Sequence, residues 1–252
     1  MQTAQFRFYA ELNDFFAENM KQKSQTVEFL IPSSVKDMIE SMGVPHTEID
    51  LIIVNGKSVD FNYHVQDKDE VHVYPVFETF DISPIIKLRP EPLRNPRFVA
   101  DCHLGRLAKY MRLLGFDTVY ENDLDDTTIA KISMNDTRII LTKDRGLLKR
   151  KSVMHGYYVR EVNPKNQVAE VIKRFDLRNM TNPFTRCLKC NGTISRIKKE
   201  IEIERLLENI KTSYREFFIC NECDQIYWKG SHYEKMLNLI NSMIDPLQFI
   251  SR

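Results

Sequence analysis

Four of the five cysteines fall into two pairs, Cys187-x-x-Cys190 and Cys220-x-x-Cys223, and this spacing constrains the last third of the chain more than any other feature. A tight turn between cysteines so spaced points both sulfurs the same way, and two such turns close a tetrahedral site with no open position. The pattern predicts one structural zinc held by Cys187, Cys190, Cys220 and Cys223, in a zinc ribbon followed by a C-terminal helix. The 29 residues between the pairs exceed the usual ribbon spacing, and the charged run from Lys198 to Lys211 reads as a helical insert that takes up the surplus. Two disulfides are the alternative, but they suit secreted chains. The N-terminus shows no basic region followed by an apolar stretch and a small-residue cleavage site, and no apolar run approaches the roughly 18 residues of a membrane span. The expectation is therefore a cytoplasmic, reducing location away from membranes. A structural zinc does no chemistry of its own, so activity has to come from elsewhere in the chain.

At 252 residues the chain has room for two or three domains, and its charge is divided unevenly. Residues 1–80 carry 6 Lys and Arg against 13 Asp and Glu, a net −7, whereas residues 81–252 carry 30 against 22, a net +8. The acidic part and the basic part are expected to do different jobs. In the acidic part, strand-like runs at Ala4–Tyr9, Thr26–Ile31, Leu51–Val54 and Val71–Pro75 surround one helical stretch, Val35–Met42, which predicts an α+β domain. Asn55-Gly56-Lys57 and Asp67-Lys68-Asp69-Glu70 mark turns. This order, with Ile53-Val54-Asn55-Gly56-Lys57 and the closing Asp69-Glu70-Val71-His72-Val73-Tyr74-Pro75, resembles the β-grasp, ubiquitin-like sulfur carriers of thiamine and molybdopterin synthesis. Such carriers work through a free C-terminal diglycine, whereas this segment runs on into Val76-Phe77-Glu78-Thr79-Phe80. A binding or scaffolding module that meets a protein partner is the expectation.

Residues 81–96 hold Pro84, Pro90, Pro92 and Pro96, which favour an extended linker between domains. From Arg97 onward short apolar strands alternate with helical patterns. The strands are Phe98–Ala100, Thr118–Tyr120, Ile139–Thr142 and Tyr157–Val159, and helical faces run through Leu104, Leu107, Ala108, Met111 and Leu114, from Asp126 to Met134, and through Val168, Val171, Ile172 and Phe175. This alternation predicts an α/β region, residues 97–180, with a parallel sheet covered on both faces.

Ligands of open parallel sheets bind beyond the carboxyl ends of the strands. Asp101 follows the first strand of this region and Asp144 follows the third; Asp126, with Asp123 and Asp125 nearby, opens a helix. Carboxylates gathered at a sheet end repel one another unless divalent cations relieve them, and oxygen ligation suits Mg²⁺ or Mn²⁺. Such ions can activate water for phosphodiester hydrolysis. Position alone leaves the alternative open, because Asp101 and Asp126 stand where helix caps stand and Asp144 lies in a turn-like run. Arg106, Lys109 and Arg112 follow Asp101, while Lys143, Arg145, Lys149, Arg150 and Lys151 crowd around Asp144. Clustered cations of this kind suit a phosphate backbone. Cys102 beside His103 makes a nucleophile conceivable, although helical neighbours point in different directions. Tyr227 and Trp228 could stack on a base or pack the ribbon.

The run from Phe98 to Thr118, Phe98-Val99-Ala100-Asp101-Cys102-His103-Leu104-Gly105-Arg106-Leu107-Ala108-Lys109-Tyr110-Met111-Arg112-Leu113-Leu114-Gly115-Phe116-Asp117-Thr118, resembles the RNase domain named for the C-terminus of the worm Mut-seven protein. Ile140-Leu141-Thr142-Lys143-Asp144-Arg145, both cysteine pairs and Tyr227-Trp228-Lys229-Gly230-Ser231-His232 extend the resemblance. That family implies a PIN-like nuclease fold with an appended zinc ribbon, in some prokaryotic members preceded by a ubiquitin-like domain. By the same resemblance Asp101, Asp126 and Asp144 match PIN acids, and the remaining acid has no firm match, a place that Asp123 or Asp125 could fill. The expected activity is Mg²⁺- or Mn²⁺-dependent hydrolysis of RNA, with Arg106, Lys109, Arg112, Lys143 and Arg145 on the RNA backbone. The alternative is an RNA-binding adaptor that keeps the scaffold without cleavage.

Overall fold

The computed structural model describes residues 1–75, 88, 95–197 and 208–244. The strands are β1 (Gln2–Phe8), β2 (Gln25–Phe29), β3 (Ile49–Val54), β4 (Lys57–Val59), β5 (Glu70–Pro75), β6 (Arg97–Ala100), β7 (Thr118–Val119), β8 (Arg138–Thr142), β9 (Gly156–Tyr158), β10 (Ile194–Arg196), β11 (Phe217–Cys220) and β12 (Ile226–Trp228). The helices are α1 (Val35–Ser41), α2 (Gly105–Leu113), α3 (Asp126–Asp136), the single turn α4 (Arg145–Leu148), α5 (Pro164–Arg174), α6 (Glu208–Ser213) and α7 (Ser231–Ile244). Nearly all of the proline-rich linker expected over 81–96 lies outside the described residues, as do 198–207 of the expected charged insert; its remainder falls in α6.

The described residues divide into two compact units, Met1–Asn95 with Asp126–Tyr158, and Pro96–Asp125 with Val159–Arg252. In the first unit, five strands form a mixed sheet in the order β2-β1-β5-β3-β4, with β1 and β5 parallel and the other neighbours antiparallel. Alternation puts Ala4, Phe6 and Phe8 of β1 into the core, where they meet Leu12, Ile39, Ile52 and Val73. Burial of each of the larger side chains is worth about 1.5–3 kcal/mol relative to leaving it exposed. Ser34 caps α1, its hydroxyl accepting from the Asp37 amide at 3.1 Å. Asn55 and Gly56 have φ of 47° and 80°, the left-handed pair that a two-residue hairpin between β3 and β4 requires. Asp69, nearly buried, locks that hairpin by accepting from Asn55 Nδ2 at 2.7 Å, the Tyr63 hydroxyl at 2.9 Å and the Gln66 amide at 2.8 Å.

The same unit holds the parallel pair β8 and β9, with α3 packed against β8 and α4 against both strands. All five residues of β8 are buried, the mark of a strand covered on both faces. In the second unit β6 and β7 pair in parallel, α2 packs on both and on α5, and α5 packs on α7. Gly115 ends α2 with φ 94°, a conformation open to glycine at little cost. Strands β10, β11 and β12 form an antiparallel sheet that carries the cysteine pairs. Among the described residues no helix is long and apolar enough to cross a membrane.

Candidate metal centre and acidic residues

The four cysteines sit on two turns built alike. In the first, the Cys187 amide donates to the Gly192 carbonyl at 2.7 Å, and the Asn191 amide donates to the Cys187 carbonyl at 3.0 Å. In the second, the Cys220 amide donates to the Gln225 carbonyl at 3.0 Å, and the Asp224 amide to the Cys220 carbonyl at 3.2 Å. Asn191 and Asp224 occupy the same place in each turn with φ of 72° and 54°, which short polar side chains tolerate better than most. Amides also aim at sulfur, from Gly192 to Cys190 at 3.4 Å and from Glu222 to Cys220 at 3.5 Å. Gly192 has to lack a side chain, since a Cβ there would come within 2.8 Å of the Cys220 sulfur.

The four sulfurs lie within 4.8 Å of one another, with Cys187 to Cys223 at 3.6 Å and Cys190 to Cys220 at 3.4 Å. Ligands about 2.3 Å from a tetrahedral zinc stand about 3.8 Å apart, so the cage has the right size as well as the right chemistry. Burial pushes the Cys190 thiol up to about 12 and raises Cys223 as well. Burial would also raise Cys187, but the Tyr227 hydroxyl, 3.1 Å from its sulfur, and the amides around it outweigh that and bring it down to about 6. The Tyr227 oxygen accepts from the Leu188 amide at 3.2 Å, which leaves its own proton for the sulfur; burial and Cys187 raise the phenol's pKa. Of the two roles open to Tyr227 from sequence, the structure shows packing and hydrogen bonding within the ribbon.

Arg112 is only 5% exposed. Its guanidinium donates to the Thr118 carbonyl at 2.8 Å and the Tyr120 carbonyl at 3.3 Å, and from Nη1 to the Leu188 and Lys189 carbonyls at 3.3 and 3.0 Å. It braces the first cysteine turn against the end of α2, which corrects its expected place on an RNA-facing surface. At about 100° per residue, Arg112 lies some 120° round the helix from Arg106, turned inward, while Arg106 and Lys109 remain exposed. Asn191 completes the brace by accepting from the Thr118 amide at 2.9 Å and donating to Asp117 at 2.7 Å. Sequence reasoning passed over Asn191, although a polar residue immediately after Cys-x-x-Cys is the available signal.

Asp101 stands at the carboxyl end of β6 with its side chain 6% exposed. Its Oδ1 accepts from the His103 amide at 2.8 Å, capping a single 3₁₀ turn, and lies 3.4 Å from His103 Nδ1. The Cys102 sulfur is 3.5 Å from the same nitrogen, and both Cys102 and His103 are exposed. The Tyr120 hydroxyl donates to the Cys102 carbonyl at 3.2 Å or to Asn122 Oδ1 at 2.5 Å, and its ring covers Gly105 so closely that a Cβ would strike it. Asp123 and Asp125 are exposed in the stretch before α3.

In the first unit, Asp144 follows β8 and is exposed; its amide donates to Thr142 Oγ1 at 2.8 Å and its Oδ1 accepts from the Gly146 amide at 2.6 Å, capping α4. Asp126 opens α3 and pairs with Arg150 at 3.2 Å, each about two-fifths exposed. Arg145 lies over the rings of Phe15 and Tyr158 and donates to the Phe15 carbonyl at 3.3 Å. Lys149 donates to the Glu40 carbonyl at 2.6 Å, and Lys143 is half-buried.

A five-stranded sheet with one α-helix, parallel strands flanked by helices and a four-cysteine ribbon together make up a mixed α/β chain with a separate N-terminal sheet. The profile of the Mut7-C RNAse domain matches residues 96–240 and that of the Mut7-C ubiquitin domain matches residues 1–81, so the chain belongs to the Mut7-C RNAse domain family. A solved structure described as molybdopterin converting factor, subunit 1, from Pyrococcus furiosus is similar over 30% of this chain and 98% of its own, at 21% identity and a TM-score of 0.24. No curated protein matches the chain.

Proposed function

We propose that the chain is a metal-dependent ribonuclease that hydrolyses RNA phosphodiester bonds. In this reading residues 97–180 form a PIN-like nuclease region and 181–252 a zinc ribbon with a C-terminal helix. Residues 1–80 are an accessory ubiquitin-like domain and 81–96 a linker. The observation that carries it is Asp101: a nearly buried carboxylate at the end of a parallel strand, in the segment matched to the RNAse family, followed by exposed Arg106 and Lys109 on α2. Asp101, Asp126 and Asp144 offer the hard oxygen atoms that Mg²⁺ or Mn²⁺ prefers, and Asp123 or Asp125 supplies the remaining acid. In this reading a divalent ion held by carboxylate oxygens would supply a Lewis acid for phosphoryl oxygens and would lower the pKa of water. The chain's own part is to hold these carboxylates in place, which the His103 and Gly146 amides do for Asp101 and Asp144. Arg106, Lys109 and Lys143 meet the RNA backbone electrostatically. The cysteine cage holds a structural zinc, with thiolates as its only ligands.

The alternative, an RNA-binding adaptor without cleavage, draws support from the Asp126–Arg150 pair, which engages one of the acids with a cation. Labelled structured and single-stranded RNAs incubated with Mn²⁺, Mg²⁺ or EDTA, alongside Asp101→Asn and Asp144→Asn, separate the two. Metal-dependent products that vanish in both variants are expected. RNA binding without products would favour the adaptor, and products that survive EDTA and both substitutions would refute the proposed site.

A further inference from the structure

Two cations beside Asp144 are already engaged by the N-terminal segment. The Arg145 guanidinium lies 4.9 Å from the Phe15 ring centre and 5.3 Å from that of Tyr158, and it donates to the Phe15 carbonyl at 3.3 Å. Lys149 donates to the Glu40 carbonyl at 2.6 Å. Around them the same two stretches of chain are fastened at further points. Glu48, fully buried, accepts from the Tyr158 amide at 2.7 Å, and His46 Nε2 lies 2.9 Å from the Val153 carbonyl. His46 Nδ1 lies 2.6 Å from Glu40, so both ring nitrogens face oxygen acceptors. All of these contacts lie within the first compact unit.

The partners of Arg145 and Lys149 are neutral. A phosphate brings a full negative charge and can take a guanidinium by two parallel hydrogen bonds, which a backbone carbonyl or an aromatic face does not offer. A phosphate that reached these side chains would therefore outbid what holds them now. The segment that holds them is also the acidic part of the chain, with 13 Asp and Glu against 6 Lys and Arg over residues 1–80, so it repels RNA while it is docked.

Resting on the ribonuclease reading above, we propose that the N-terminal ubiquitin-like segment is a built-in competitor of RNA for Arg145 and Lys149. While docked it occupies the two cations nearest Asp144 in sequence on the α4 side, and RNA gains them only as the Phe15 and Glu40 contacts open. Arg145 is then an RNA contact in the open state and a docking residue in the closed one.

The test uses the full chain in buffer without Mg²⁺ or Mn²⁺, with a labelled single-stranded RNA as probe. Phe15→Leu removes the ring under Arg145 while keeping bulk in the core. It is expected to speed chemical labelling of the Lys149 amine and to tighten RNA binding. The salt dependence should steepen by about 1.4 in log–log slope, two phosphates at about 0.7 each on a single strand. Arg145→Ala in that background should return about 0.7 of the slope. Should Phe15→Leu fail to fold, the wild-type chain carries the test: adding RNA should speed hydrogen exchange at the Tyr158 amide, as its bond to Glu48 opens. Faster Lys149 labelling with unchanged or weaker RNA binding overturns the proposal, as does unchanged or slower Tyr158 exchange in a wild-type chain that binds RNA. If that chain also cleaves RNA, the ribonuclease reading survives alone. A chain that binds no RNA at any salt concentration loses both.

Discussion

Replacing Arg112 with alanine tests how firmly the cysteine turn is tied to the α/β region. The substitution strips partners from four carbonyls, those of Thr118, Tyr120, Leu188 and Lys189. The Thr118 bond is buried, so its loss is expected to cost about 2 kcal/mol, within the range for an unsatisfied acceptor. The other three are part-buried and water can replace the guanidinium, so about 0.5 kcal/mol each is the expectation. Loss of the stem's packing adds about 0.5–1 kcal/mol, for a total near 4 kcal/mol. Trp228, the only tryptophan, lies on β12 of the ribbon and reports its unfolding by fluorescence. With a urea m-value of about 3 kcal/mol/M, the midpoint of the zinc-loaded protein should fall by about 1.3 M. Arg112→Lys should recover no more than about half, because an ammonium is a point donor that cannot span four carbonyls. A midpoint shift below about 0.3 M at an unchanged m-value would refute the brace.

Gly192→Ala should weaken metal capture while leaving the core of the five-stranded sheet intact, because its methyl would meet the Cys220 sulfur at 2.8 Å; competition with a chromogenic chelator measures the loss. Zinc uptake near pH 7 should release protons from Cys190 and Cys223, whose thiols burial pushes up, while Cys187, brought down to about 6, contributes few. Apparent affinity should therefore rise with pH around neutrality, and a flat profile across a pH series of chelator competitions would contradict the assignment. Gly105→Ala should drive its methyl into the Tyr120 ring and disturb the turn that carries Asp101, costing about 1–3 kcal/mol in thermal unfolding and lowering cleavage more than the stability loss accounts for.

Much of the fold was legible because local chemistry and long-range packing agree. Asn55-Gly56 promises a turn and makes the one between β3 and β4, and the strand-like run Ala4–Tyr9 falls on β1. The cysteine spacing likewise foretold a single cage. Arg112 was misplaced because an i, i+3, i+6 series drifts round a helix, and a charged side chain can turn inward when enough carbonyls await it. Arg145 and Lys149 read as groove cations because sequence does not reveal that Phe15 and Glu40, more than a hundred residues earlier, come to meet them. Asp101 and Asp144 were singled out by their place after strands, and Asp126 by its place at the start of a helix. Their capping bonds show why position alone left two roles open, since one carboxylate oxygen can satisfy an amide while the group keeps its charge.

The first compact unit is assembled from two stretches separated by thirty residues that belong to the second. During synthesis, β1 to β5 are complete when Pro75 emerges, yet the surface bearing His46 and Glu48 has no complement until Tyr158 has left the ribosome. The N-terminal segment must therefore wait, partly uncovered, for more than half of the chain's first 160 residues to be added. Its seven excess negative charges suit that interval, because mutual repulsion keeps nascent chains apart until the waiting surface is closed.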